Sequence, residues 1–196
     1  MLGKGRPFYF ELVNPHNLKH SQLELTELGS SIQEKTQGKI GVRDLQVVTR
    51  DSTRVLKDSA STKSKSYTCR VKLGKPVPLA KIQELSGSEN IALKQRNPTR
   101  VPRRADLIRD KMIEKIVIRP LQEVSSSSSN DQDQEGIQIL EVDVQTSAGT
   151  YVKEFVHGDN GRTLPNLASL LDSDTAECLQ LDVLEVHLDW PTAVTV

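Results

Sequence analysis

The chain has 196 residues, 36% of them hydrophobic and 27% charged, enough for one domain with a sizeable core. No apolar run approaches the ~20 residues that span a bilayer, and Lys4, Arg6 and Glu11 interrupt any leader-like start. The net charge of zero hides an asymmetry: residues 1–124 hold 24 Lys+Arg against 13 Asp+Glu, and residues 125–196 hold 2 against 13. A basic first part suits a phosphate backbone as partner. Attraction between the two parts in the fold is the plainer reading, and the charge sum does not separate them. Cys69 and Cys178 lie far apart and form neither a metal spacing nor a disulfide framework. This points to a reducing intracellular compartment, nucleus and/or cytoplasm.

In chain order, Arg6 to Asn14 alternates as a strand, with Phe8, Phe10 and Leu12 on one face. Asn14-Pro15 ends it. Leu25, Leu28 and Ile32 sit at helical spacing within 18–34, and Gly38 closes that helix. Residues 40–49 are a second strand candidate. Residues 58–66 are polar, rich in Ser and Lys, and read as loop. Ser66 to Leu73 is a strand with Tyr67, Cys69, Val71 and Leu73 on one face. Pro76 and Pro78 break it, and 79–85 is a short helix. Residues 90–94 form another strand, and 97–109 a basic connector with Pro98 and Pro102.

Residues 111–124 alternate as a long strand, Met112, Glu114, Ile116 and Ile118 against Ile113, Lys115, Val117 and Arg119. Residues 125–136 are low-complexity, Ser-rich and acidic, the composition of a disordered loop. The next strand, 137–146, has Ile137, Ile139, Val142 and Val144 as buried positions and pairs antiparallel with its predecessor across that loop. A helix over 164–172 and a clearly alternating strand over 176–190 complete the chain. Strands outnumber helices, and the order predicts an α+β fold around a mostly antiparallel sheet with a few flanking helices.

The chain is organised around Thr146-Ser147-Ala148-Gly149-Thr150-Tyr151-Val152-Lys153-Glu154-Phe155-Val156-His157-Gly158-Asp159. Gly149 breaks the strand and turns the backbone, and Thr150 is placed to cap a short helix. On that helix Tyr151 and Phe155 share a face while Lys153 points elsewhere. A cation and an aromatic are thereby held at a strand-to-helix corner, a common place for chemistry.

S-A-G-T-Y-V-K-E-F-V-H-G-D resembles the last catalytic motif of tRNA pseudouridine synthases, above all the archaeal and eukaryotic Pus-Ten type. The resemblance runs on through Gly161-Arg162-Thr163, Pro165-Asn166-Leu167, Ser169-Leu170-Leu171, Leu181-Asp182-Val183 and Leu188-Asp189-Trp190-Pro191. It implies a pseudouridine-synthase-like antiparallel sheet, incomplete at the N-terminus. Residues 1–196 would be the C-terminal portion of a catalytic domain acting on T-loop uridine in tRNA, at position 55 with 54 as a further target. Such an enzyme flips the uridine out of the RNA and reattaches its ring through carbon.

By that resemblance Lys153 is the basic residue that keeps the family's nucleophilic aspartate ionised. Tyr67, in K-S-K-S-Y-T-C, matches the tyrosine that stacks on the flipped base and assists proton removal. Tyr151 matches a residue that contacts the substrate or shapes the pocket by packing. Arg100, Arg103 and Arg104 are clustered candidates for phosphate contact, Arg being suited to bidentate binding, with a solvated basic loop as the plainer reading; Arg103, Arg104 and Arg162 are the substrate-binding candidates. The segment N-P-T-R-V-P-R-R-A-D is similar to the family's T-P-x-R-V-L-H-R-R. It is one residue short and lacks the histidine, which leaves the register of Arg100 open. His157 and Asp159 read as a turn held by polar side chains rather than as catalysts.

In the family, M-L-G-x-G-R-P-F follows shortly after the G-R-E-D motif that carries the aspartate, so the resemblance leaves that nucleophile out of this chain. None of Asp44, Asp106 and Asp159 stands in a matching motif. The expected function is therefore the later part of a tRNA pseudouridine synthase, an isomerase, with the isolated chain expected to be inactive. A non-catalytic RNA-binding remnant is the alternative, and a fragment exposing sheet edges a weaker third. The T-arm of tRNA is the expected partner. No metal, organic cofactor or membrane is expected.

Overall fold

The computed structural model describes residues 5–17, 19–103, 105–121 and 136–192. The Ser-rich stretch expected to be disordered lies outside them except for Gly136, and so does Arg104. The chain divides into two compact units, Met1–Arg6 with Ser61–His187, and Pro7–Ala60 with Leu188–Val196.

The larger unit is a six-stranded sheet ordered β5-β2-β3-β4-β1-β6, with every neighbouring pair antiparallel. Its strands are β1 (Lys65–Val77), β2 (Glu89–Gln95), β3 (Arg109–Pro120), β4 (Ile137–Thr146), β5 (Thr163–Leu164) and β6 (Ala176–Val186). The α+β class read from the sequence is the observed one. Helices α3 (Leu79–Leu85), α4 (Val152–His157) and α5 (Leu167–Leu170) contribute Ile82, Phe155 and Leu167 to one buried cluster with Val71, Leu73, Ile116, Leu140 and Val142. Each such side chain adds about 1.5–3 kcal/mol over its exposed state, so this cluster drives folding of the unit.

The alternate side chains of β4, Glu141, Asp143 and Gln145, are only partly covered. Arg119 of β3 bridges Glu141 and Asp143 there. On β3 a bulge between Ile113 and Lys115 shifts the register, so Ile113, Ile116 and Ile118 share burial. Simple alternation had put Ile113 opposite the other two. An extra residue in one strand defeats a period of two. On β4 the buried positions are Ile137, Leu140, Val142 and Val144, with Ile139 only partly covered.

The smaller unit departs further from expectation. Helix α1 (Gln22–Lys35) starts later than read, at a capping box: Ser21 accepts from Glu24 N–H while the Glu24 carboxylate accepts from Ser21 N–H. Residues 54–62 form helix α2 (Arg54–Thr62), which takes in the first part of the polar loop expected over 58–66. Thr53 and Ser59 are buried and donate to backbone carbonyls of Arg50 and Leu56. Neither expected strand forms: 6–14 and 40–49 pair with nothing among the described residues, and Phe10 and Val47 stay exposed. Alternation states which face a strand would bury, but only a partner satisfies its backbone.

Candidate active site

Strand β4 ends at Thr146, and Ser147 continues its hydrogen bonding with β3: Ser147 N–H donates to Met112 O, and Met112 N–H to Ser147 Oγ. The chain then turns at Gly149, whose φ of 70° favours glycine. A Cβ there would lie 3.2 Å from Lys111 Nζ, which donates to Ala148 O at 2.6 Å. Thr150 does not cap the helix. Its hydroxyl donates to Ser147 O inside the turn, and Tyr151 occupies the N-cap position without a side-chain bond.

Gln95, fully buried on β2, fixes where α4 begins. Its Oε1 accepts from Tyr151 N–H at 2.8 Å, and its Nε2 donates to Tyr151 O at 3.0 Å and Thr163 Oγ1 at 3.2 Å. Tyr151 O also receives Phe155 N–H, the first bond of the helix. Burying an amide without partners costs several kcal/mol, so Gln95 commits the corner to one position.

Helix α4 buries Val152, Glu154, Phe155 and Val156 and exposes Lys153 and His157. Glu154 is the exception in this apolar set. Its side chain is 2% exposed and accepts from Arg100 Nε at 2.6 Å and Nη2 at 3.2 Å. The carboxylate raises the Arg100 pKa above its ordinary value, outweighing the opposing effect of burial. The guanidinium also stands 5.9 Å over the Tyr151 ring centroid, within cation–π range. Arg100 thus ties the basic connector to α4.

Two further ties accompany it. Asp159 accepts from Thr99 N–H at 3.1 Å and from Thr99 Oγ1 at 2.9 Å. His157 Nδ1 accepts from Asp159 N–H at 3.0 Å. His157 and Asp159 do hold the turn after α4, where Gly158 adopts φ 79° and a Cβ would meet Asn166 Nδ2 at 2.5 Å. Arg162 donates to Asn97 O and Asp106, with Nε 3.5 Å from Asp159 Oδ2. Its guanidinium is occupied within the chain.

Tyr67 is half-buried on β1, opposite Val144 of β4 and Val183 of β6. Burial raises its phenol pKa, against a smaller lowering by Arg6. Lys153, on the exposed side of α4, comes near β6, where its charge partly offsets the burial that raises the Cys178 thiol. Tyr67 and Lys153 therefore both border β6. Arg103 is exposed in a turn of the connector. Both cysteines are free thiols, and burial pushes Cys69 up to about 12. Among the described residues no group of three or more His, Cys, Asp or Glu is placed to hold a metal, and no helix is long and apolar enough to cross a membrane.

Sequence reasoning passed over Gln95, Thr99, Lys111 and Glu154. Only Glu154 carries a legible sign, a carboxylate in the apolar stripe of a short helix. Its partner lies 54 residues away.

The family model described as "Pus10, C-terminal" matches residues 1–187. The human tRNA pseudouridine synthase Pus10 is 37% identical over 98% of this chain, covering 34% of its own length. The protein of the same name from Thermofilum pendens is 36% identical over 95% of this chain and 38% of its own length. The chain spans about a third of the length of these relatives. A Cbf5-Nop10-Gar1 complex chain aligns with 68% of this chain and 33% of its own, at 23% identity and TM-score 0.42. The family match, covering nearly the whole sequence and including the strand-to-helix corner, shows that the chain belongs to the Pus10 family through its C-terminal region.

Proposed function

We propose that this chain is the later part of a tRNA pseudouridine synthase, an isomerase that converts T-loop uridine in tRNA at position 55, with 54 as a further target. The carrying observation is the 36–38% identity to relatives of that name over 95–98% of the chain. In this reading Lys153 pairs with the nucleophilic aspartate of the family's G-R-E-D motif, which the resemblance places outside this chain. An ion pair keeps a carboxylate charged where a dry pocket would otherwise protonate it. Tyr67 stacks on the flipped base. Its half-buried place on β1, opposite Val144 and Val183, supports this role by holding the ring in one position. Flipping costs a few kcal/mol, which stacking and hydrogen bonds in the pocket offset.

Tyr151, fixed by Gln95 and faced by Arg100, lines the pocket. Arg103, exposed on the connector, is free to reach the T-arm backbone, with Arg104 beside it in sequence. Arg162 acts through the connector it holds. The site of action is intracellular, nucleus and/or cytoplasm, where Cys69 and Cys178 remain thiols.

The test is tritium release from a T-arm transcript carrying 5-tritiated uridine, since reattachment through C5 expels that hydrogen. It compares the chain alone with a chimera in which residues 1–196 replace the matching C-terminal part of the Thermofilum relative. The chimera should release tritium, and Lys153→Ala should abolish it. A folded, RNA-binding but inactive chimera sinks the catalytic reading in favour of an RNA-binding remnant.

A further inference from the structure

Lys65 opens β1 directly opposite Thr146, the last residue of β4, and Thr146 in turn faces Ile113 of β3. Cross-strand partners point to one face, so Lys65 lies on the face of the buried Thr146 and Ile113. Tyr67 is two residues along β1, hence on the same face. Lys111 is two residues from Ile113 on β3, beyond the end of β4, and its ammonium reaches the turn at Ala148. Two half-buried lysines therefore sit at one end of the sheet, beside the aromatic that the proposed function assigns to the base.

Among the described residues, the charges that shift this pair are positive. Burial lowers the Lys65 pKa first, then Arg6 and Lys111 lower it further; burial and then Arg109 lower that of Lys111. Each ammonium donates to a backbone carbonyl, Lys65 to Lys63 O and Lys111 to Ala148 O. Arg100, Arg119 and Arg162, by contrast, each hold a carboxylate. Among the described residues neither lysine forms an ion pair, and cations so placed are stabilised by an anion that enters.

We infer that Lys65 and Lys111 form a phosphate subsite for the nucleotide whose base lies on Tyr67. Lys65 and Tyr67 lie on one face, their backbone positions about 7 Å apart along the strand, a separation on the scale of a single nucleotide. Lys111 closes the subsite from the β3 side while holding the turn that leads to Tyr151 and Lys153. The inference rests on the RNA-modifying function proposed above.

The experiment measures binding of a T-arm hairpin to the whole chain between 50 and 200 mM salt, for the parent, Lys65→Met, Lys65→Arg and Lys111→Gln. Gln keeps a donor for Ala148 O while removing the charge. Each lost phosphate contact lowers the salt slope by about 0.7–0.9, so the parent's advantage over Lys65→Met shrinks about threefold across that range. Lys65→Arg should restore the parent slope. Circular dichroism confirms that the variants fold. A second arm labels amines with trinitrobenzenesulfonate at pH 8, with and without pyrophosphate. Lys65 and Lys111 should label readily and be protected by pyrophosphate.

RNA binding with parental slopes in both charge-removing variants overturns the subsite. Protection by pyrophosphate without RNA binding upholds the subsite and overturns the RNA reading. Neither binding nor protection overturns both.

Discussion

Arg100 and the Lys65–Lys111 pair are both cationic, both near the β4–α4 corner, and opposite in their surroundings. Arg100 meets a buried carboxylate on two edges, and its charge is favoured. The lysines are half-buried and, secondarily, meet other cations, so their charge is disfavoured. The same basic segment of sequence thus supplies a structural tie at one position and an unbalanced charge at another. Net charge over residues 1–124 describes neither, because the energy depends on the counter-charge within a few ångströms.

Removing one partner from the tie is the largest way to break this comparison. Arg100→Ala leaves Glu154 buried and unpaired, at a cost of about 3 kcal/mol. Arg100 is itself 57% exposed, so solvent screening places the loss at the low end of buried pairs. Thermal unfolding should fall by on the order of 10 °C. Adding Glu154→Leu should recover much of it, since an apolar side chain suits that site. A midpoint unmoved by Arg100→Ala means the pair does not hold the connector.

Gln95→Leu comes next. It removes two partners of the Tyr151 backbone inside the core, and about 2 kcal/mol follows from leaving buried polar groups unmet. Amide exchange at Tyr151 should rise in step; unchanged protection would show that the helix start is fixed by something else.

Lys65→Met should move stability the other way, by a few tenths of a kcal/mol. A lysine whose folded pKa is depressed contributes stability above its unfolded value near 10.4 and loses it as pH falls through the folded value. At neutral pH the pair therefore opposes folding, and deleting one charge relieves it. A lower melting point for Lys65→Met would place the lysine in a tie like that of Arg100.

The smallest effect is optical. Tyr67 should ionise above the usual ~10 in an absorbance titration. Its raised folded pKa contributes stability fully present below ~10 and lost as pH rises through the folded value. Tyr67→Phe should remove the late step; if the step persists, it belongs to another tyrosine.

Much of the sheet was legible because its strands advertise themselves. The bounds of β4 and α3 match the reading to the residue, and β2 and β6 are shifted only at their ends. The corner was legible too: Gly149, the short helix and the exposure of Lys153 follow from spacing. Strands over 6–14 and 40–49 were misread because hydrophobic alternation carries no information about a partner. Helix α2 was missed because its sequence is polar and the Ser59 hydroxyl bonds locally, to Leu56 O, a pattern shared with loops.

By itself, then, the sequence determined an antiparallel α+β sheet, membership of a family, and a strand-to-helix corner carrying Tyr151 and Lys153. Those depend on local propensity, periodicity and motif, which act over a few residues. Only the tertiary structure decided that Arg100 belongs to Glu154, that Gln95 sets the start of α4, and that Lys65 and Lys111 share an end of the sheet with Tyr67. Arg100 and Glu154 lie 54 positions apart, Gln95 and Tyr151 56, and Lys65 and Lys111 46. Burial and charge are fixed by which strands become neighbours, and strand order is a property of the fold.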